Sequence, residues 1–523
     1  MSAGCSGQTR SRRRQQGWQD RPVSEPSTLR RSTWWGFFAL FLVGLLAWTV
    51  ATPLMAAPDE GAHAVRAAGV ARGQLNGPHR KFIIQNWLQK VPEAYAQTPD
   101  ALCFVRAPDV RARTRARDLT PRCVPSFRGS DRIVKALTYE FRGTPHLYGL
   151  LGLPSLIWPD RVSMYLMRAM NALACAAFLA SACVSALRRP GRRLAVVGVL
   201  AAATPGAWYL GGIINPNGIE IAAAISLWAT LLALAAHDSI ESDGRLVHRA
   251  GVAAFALVSI RGLGPVWVIA AVVTCAVVAE PGRMRALARL RATRVWAGLV
   301  VASTALTAAW VIHAPLGDQL RHPSIGLRQA VVGLPAILRQ SVGVFGTDYM
   351  PLPRGLDIGW GLVAVVAVGA AFVVATNRQR IALLGTILAS AVLPITTDGF
   401  NIPYIGFPWQ GRYGLPLTVG VVLLAFGVIP SSSRPVRWGG VLAGTLLLLG
   451  QVGAFVAIGR RLAMGHPRGT NVLDYLAHPI WSPPISHAVL LAAVATVAVG
   501  LGIILLRPLT GRPAMRDPVA PAP

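Results

Sequence analysis

Charge is what this sequence has least of. Of its 523 residues 14% are charged and 53% hydrophobic, against about a quarter charged in an ordinary soluble domain. Lysine is nearly missing: Lys81, Lys90 and Lys135 are the only three, and every other basic residue is Arg. That skew points to a GC-rich coding sequence of actinobacterial type and carries little chemistry. The six cysteines show no zinc-ligand spacing, and neither common glycine-rich nucleotide loop is present. No polar stretch on the expected cytoplasmic side is long enough to form a domain that handles ATP or a nucleotide sugar. Energy must then arrive with the substrate or through a gradient. The net charge of +29 would suggest nucleic acid in a soluble protein. Here much of the arginine lies in short loops between apolar runs, so no nucleic-acid partner is expected.

Those apolar runs define the fold class. Residues 34–57, 163–187, 358–376, 412–430 and 487–506 each reach the ~20 residues that span a bilayer core as a helix. Such length without alternation excludes strands, whose open edges lipid does not tolerate. The expected fold is all-α, a polytopic transmembrane helical bundle. Arginine sets its orientation. Residues 1–32 hold seven Arg against Asp20 and Glu25, so they are expected to be a disordered basic cytoplasmic tail. Keeping the arginines of 188–193, 283–294, 378–380, 434–437 and 507–523 on that same side requires about twelve spans. They fall at 33–57, 161–187, 194–212, 217–236, 250–262, 264–280, 295–313, 358–376, 381–397, 412–430, 438–459 and 486–506. Both termini are then cytoplasmic, with 507–523 a second tail, and 33–506 is a single transmembrane domain of the plasma membrane. The first run is longer than a signal sequence and reads as a retained span. Span 250–262 is short and is expected to break near Gly262 and Gly264. Residues 144–158, interrupted by Pro145 and Pro154, must not cross; they read as re-entrant or interfacial.

With that orientation the conspicuous polar motifs fall outside. The first outer loop, 58–160, is the longest and is expected to contain juxtamembrane helices. Cys103 and Cys123 lie in it and are expected to form a disulfide, because an isolated pair outside the membrane oxidises. Pro58, Asp59 and Glu60 follow the first span directly. Pro58 can open a helix with acids in its first turn, and Asp59, His63 and Arg66 then share one face. This group fits a capped amphipathic helix or a general base with phosphate-binding support. Asp59 with Glu60 can also hold a divalent cation, although two carboxylates alone identify no metal. Asn215 and Pro216, with Asn217 beside them, suit the start of a helix at the same face, where a cap or a phosphate is accommodated. Asp348 is the candidate polar group of the loop 314–357; alone it reads as a turn. Gln410, Arg412 and Tyr413 sit where a span begins. An Arg there is an interfacial anchor or a bidentate phosphate ligand. Arg168, inside a span, and Arg261, at the end of one, demand a partner or a polar cavity.

Four ordered motifs carry a family resemblance. They are Pro58-Asp59-Glu60 with His63 and Arg66, Asn215-Pro216-Asn217 with Glu220, Phe345 to Asp348, and Gln410-Gly411-Arg412-Tyr413. Together they resemble a family of predicted bacterial polytopic membrane proteins catalogued as a domain of unknown function, over residues 35–505. The stretch from Ser259 to Trp267 resembles a further segment of that family and departs from it around Gly262. The family in turn resembles the GT-C superfamily of lipid-dependent glycosyltransferases, which carry an acidic motif directly after the first span. The resemblance implies a GT-C-like transferase that uses a polyprenyl-phosphate sugar donor and a glycan or lipid acceptor at the outer membrane face, in envelope polysaccharide or glycolipid assembly. Asp59 or Glu60 would be the catalytic base, and Arg66, Arg261 or Arg412 would hold the lipid phosphate. His63, Asn215, Asn217, Asp348, Gln410 and Tyr413 complete the expected substrate-binding set. Two other classes stay open. A transporter or flippase predicts inverted repeats and polar groups at the bilayer midplane. A non-catalytic scaffold predicts that no single outer carboxylate matters.

Overall fold

The computed structural model describes residues 31–81, 85–97, 127–140, 143–189, 193–236, 244–313, 326–345, 350–400, 409–465 and 472–510. Cys103, Cys123 and Asp348 lie outside these residues, as do both expected tails apart from their edges. Helix α1 (Arg31–Ala51) leads through a loop into α2 (Glu60–Ala71). A small antiparallel sheet follows, β1 (His79–Lys81), β2 (Gln85–Pro92) and β3 (Ile133–Thr138), in that order, with Trp87 opposite Thr138. Next come α3 (Pro145–Gly152) and a 3₁₀ turn (Leu153–Leu156), then α4 (Arg161–Leu187), α5 (Ala195–Ala202), α6 (Pro205–Gly211) and α7 (Pro216–Ala236). The chain continues with α8 (Gly244–Ile260), α9 (Gly264–Val278), α10 (Arg283–Arg289), α11 (Arg291–His313) and α12 (Leu327–Val342). A two-stranded ribbon, β4 (Val344–Phe345) and β5 (Met350–Pro351), precedes α13 (Arg354–Val374) and α14 (Asn377–Phe400). Helices α15 (Gly411–Val428), α16 (Arg434–Met464), α17 (Val472–Ala477) and α18 (His487–Thr510) complete it.

Among the described residues, nine helices are long and apolar enough to cross a membrane: α1, α4, α7, α11, α13, α14, α15, α16 and α18. The other three expected spans are shorter. The segment expected at 194–212 is broken between α5 and α6. Thr204 caps the second piece by accepting a hydrogen bond from the Ala207 N–H, and Pro205 occupies its first turn. Helix α9 has 15 residues, and α8 has 17. Helix α8 stops at Ile260, where the break was expected, but begins at Gly244, a turn and a half before its apolar stretch. The segment 144–158 forms α3 and one 3₁₀ turn, too short for the ~30 Å hydrocarbon core. Leu150, Leu153, Leu156, Ile157 and Trp158 on it are exposed.

Helix α7 forms the centre. Its apolar stretch is 89% buried, against 6% for peripheral α11. Alanines 222, 223, 224, 229 and 233 line α7, and such small side chains let neighbouring backbones approach closely. Gly212 shows how close the neighbours lie. A Cβ there would stand 2.7 Å from the Trp48 Cβ and 2.8 Å from the Leu45 carbonyl of α1.

The two ends of the bundle differ in kind. At one, the arginine loops meet: the Arg193 N–H donates to Ser431 Oγ at 3.1 Å, and Arg283 Nε donates to the Leu234 carbonyl at 3.0 Å. The other end carries the sheet, α2 and α3. There the end of α1 and the starts of α4, α7, α9 and α15 converge.

Candidate active site

At the sheet end the acidic pair is split by its backbone. Asp59 is the N-cap of α2 and has φ 60°, ψ 3°, so the helix opens at Glu60 rather than at Pro58. A left-handed conformation at a non-glycine residue costs on the order of 1 kcal/mol. Among the described residues, only Met55 and Asp59 share it outside glycine, and both belong to the loop between α1 and α2. The consequence is that consecutive carboxylates point to opposite sides. The Asp59 side chain is 24% exposed, the Glu60 side chain not at all.

Glu60 meets Arg168 of α4. Arg168 Nε donates to Glu60 Oε1 at 2.7 Å and Nη2 to Oε2 at 2.6 Å, a bidentate pair. Glu60 Oε2 also accepts from the Met55 N–H at 2.9 Å, and Oε1 from the Ile214 N–H at 3.2 Å. Four donors therefore occupy the four lone-pair positions of the carboxylate. Arg168 spends its remaining protons on the carbonyls of Thr49 and Thr52, each at 2.7 Å, and of Pro53 at 2.9 Å. These belong to the last turn of α1 and just beyond it, where carbonyls lack helical partners and a cation is favoured. The partner demanded by the intramembrane Arg168 is thus Glu60. With its lone pairs filled and no access to solvent, Glu60 is not placed to take a proton from a substrate.

Asp59 faces a more open group. Its Oδ1 accepts from the Tyr139 hydroxyl at 2.7 Å, and its Oδ2 from Arg412 Nη2 at 2.5 Å. Burial alone would raise its pKa, but Arg412, His63, Tyr139 and Arg261 together hold it below the ordinary Asp value. It is a carboxylate at neutral pH. Tyr413 lies between the two arginines, with the Arg261 and Arg412 guanidinium carbons each 5.2 Å from its ring centre. Arg261 also donates to Asn217 Oδ1 and stands 3.9 Å from Glu220 Oε2. Glu220 is held by the Trp267 indole N–H at 2.8 Å.

His63, one turn into α2, completes the cluster. Its Nδ1 lies 2.7 Å from the Tyr148 hydroxyl and 3.8 Å from Glu140 Oε2. Burial lowers its pKa, more than nearby Glu140 and Asp59 raise it, so the ring is neutral. Burial, helped by neighbouring carboxylates, raises the pKa of Tyr139 and of Tyr148. Both phenols keep their protons. Asp59, His63 and Glu140 each offer one ligand atom within 4.8 Å of the others. Asp59 and Glu60 do not share a cation site between them, because the two side chains point to opposite sides.

The remaining expected residues divide. Asn215 ties the start of α7 to the first loop: its Nδ2 donates to the Pro58 carbonyl at 3.1 Å, and its Oδ1 caps the Asn217 N–H at 3.0 Å. Arg66 turns away from Asp59. It donates to the Leu75 and Gly143 carbonyls at 2.9 and 3.4 Å and sits between the Trp87 and Trp310 rings, fully buried. Burial lowers its pKa to about 10, so it stays charged. Gln410 is the N-cap residue of α15 and lines a cleft beside Arg412 with Gln340, Leu210 and Val344. Gly411 is required there, since a Cβ would stand 2.4 Å from the Ser341 N. Tyr139, Glu140 and Tyr148 belong to the cluster and were not expected. They lie some eighty residues after Asp59, in ordinary strand-end and short-helix sequence, and no spacing marks them.

The fold and this end define a polytopic α-helical membrane protein with a charged, partly open cluster at one end of its bundle. The sequence matches the model of the family described as predicted membrane protein (DUF2142) over residues 40–421, and the chain belongs to that family. No curated protein matches it. The crystal structure of ArnT from Cupriavidus metallidurans bound to undecaprenyl phosphate is similar over 90% of this chain and 76% of that one, at 14% identity and a TM-score of 0.42. So loose a superposition carries no argument about the site.

Proposed function

We propose that this protein is an integral-membrane glycosyltransferase that takes a sugar from a polyprenyl-phosphate donor at the outer face of the plasma membrane, for envelope polysaccharide or glycolipid assembly. The observation that carries this reading is Asp59. It is an ionised, solvent-reachable carboxylate held in a strained backbone conformation beside two arginines from the ends of spans. Strain of that kind persists where surrounding structure enforces it, often at functional sites. In the reaction Asp59 accepts the proton of the acceptor hydroxyl. The freed oxygen forms a bond to the anomeric carbon of the sugar, and the bond from that carbon to the phosphate oxygen breaks. The electron pair leaves on the polyprenyl phosphate, whose growing charge Arg412 and Arg261 receive. Glu60 has no part in proton transfer; it holds the loop that presents Asp59. The arginine loops at the opposite end support the outward orientation.

The test is transfer from a polyprenyl-phosphate sugar in purified, lipid-reconstituted protein, with lipid analysis of a deletion strain to identify the donor that accumulates. Asp59→Asn is expected to abolish transfer while the protein still folds. Full activity in that variant would sink the assignment.

A further inference from the structure

We propose that Asp59, His63 and Glu140 bind one divalent cation of the Mn²⁺ or Zn²⁺ type, next to Arg261 and Arg412. Its purpose rests on the transferase reading; its existence rests on geometry. The three ligand atoms lie within 4.8 Å of one another. At metal–ligand distances of about 2.1 Å, ligand atoms stand roughly 3–3.5 Å apart, so side-chain rotation of an ångström or two closes the set.

The ligands are braced from separate elements. Asp59 is fixed by the Glu60–Arg168 pair next to it in sequence. His63 stacks on Tyr148 with ring centres 5.9 Å apart and shares a hydrogen bond with its hydroxyl. Glu140 follows β3, two residues after Thr138, whose hydroxyl donates to the Ala62 carbonyl of α2 at 2.8 Å. That bond ties the strand end to the helix carrying His63. Each Asp59 oxygen already accepts one hydrogen bond and retains a second lone pair. One nitrogen with two carboxylates suits Mn²⁺ or Zn²⁺ better than Mg²⁺ or Ca²⁺, which prefer oxygen alone. Three protein ligands leave open positions for a substrate oxygen.

The experiment measures metal rather than turnover. Protein in nanodiscs is stripped with chelator, dialysed against Mn²⁺ or Zn²⁺ and assayed for retained metal. Mn²⁺ binding is also followed by electron paramagnetic resonance. About one ion per chain is expected, with coupling to one imidazole nitrogen. His63→Gln and Glu140→Gln should each weaken binding about tenfold or more. Glu93→Gln, at a carboxylate paired with Arg132 outside the cluster, should not. Should His63→Gln fail to fold, Glu140→Gln, whose side chain is 17% exposed, carries the test. No retained ion, or binding unchanged in the variant that folds, overturns the site. A retained ion without sugar transfer would leave the metal site standing and remove the transferase reading. Transfer that persists in chelator, with no ion retained, would do the reverse.

Discussion

Asp59 and Glu60 are neighbours in the chain, yet each leads to a different arginine and a different environment. The region around Glu60 and Arg168 is dry, and its charges are satisfied by backbone groups of α1, the following loop and the turn before α7. The region around Asp59 and Arg412 reaches solvent and is bounded by phenols, an imidazole and a second arginine. A single left-handed residue separates them. The difference teaches that an acid–arginine pair is not by itself a sign of function. The pair whose lone pairs are all taken holds structure; the pair with room for another ligand can do chemistry.

The largest expected effect comes from breaking the dry pair. Arg168→Met leaves Glu60 buried and unpaired, which costs about 3–5 kcal/mol. Thermal unfolding of the detergent-solubilised variant should show a large drop or no folded protein, and an unchanged transition would remove the structural role given to this pair. Next is Asp59→Asn, which should leave the unfolding transition nearly in place while transfer falls about 10²–10⁴-fold. Equal losses of stability in the two variants would erase the distinction between the regions.

Arg412→Gln sharpens the comparison through pH. Burial pushes the Asp59 carboxyl up, and Arg412 is the leading influence that holds it down. In the wild type the acid limb of activity should lie below 3.8, the ordinary Asp value. The variant keeps the burial and loses the cation, so the limb should move upward. Stability carries the same sign. A carboxyl lowered in the folded state contributes stability that is present above its unfolded pKa and lost as pH falls through the folded value. An acid limb that stays in place in Arg412→Gln would separate Asp59 from the titrating group. The smallest effect is expected for Tyr139→Phe, which removes one hydrogen bond to Asp59. Transfer should fall roughly tenfold or less, and no change would show that Arg412 alone positions the carboxylate.

Much of the fold was legible because lipid imposes a simple rule on sequence. Long apolar runs became helices, and among the described residues nine of them have the length and composition of spans. The break before Gly264 and the short segment after Thr144 followed from glycine and proline. Helix ends were less legible. Helix α8 runs into Arg245 and Arg249 because arginine has good helix propensity, and hydropathy cannot see that. In the site, Asp59, His63, Arg412 and Tyr413 were readable as polar groups at span ends. Glu60 and Arg66 looked equally good. Only the left-handed torsion at Asp59 and the tryptophans around Arg66 turn them inward, and both are facts of tertiary packing. Tyr139, Glu140 and Tyr148 arrive through the sheet and α3, contacts too distant in sequence for any periodicity to announce.

The grip of Arg168 on the end of α1 also bears on how the protein is made. A chain inserted from its N-terminus lays down α1 long before its partner emerges, for Arg168 follows Thr52 by 116 residues. Until α4 arrives, the carbonyls of Thr49, Thr52 and Pro53 depend on water. The loop bearing Asp59 cannot settle during that interval. Ribosome-bound chains that end before Arg168 should therefore leave a probe cysteine at Ala56, which is fully buried in the finished protein, open to aqueous labelling, and chains long enough to insert α4 should protect it. Biogenesis would then contain a checkpoint at the second long span, so that a chain stalled before it never displays a finished site.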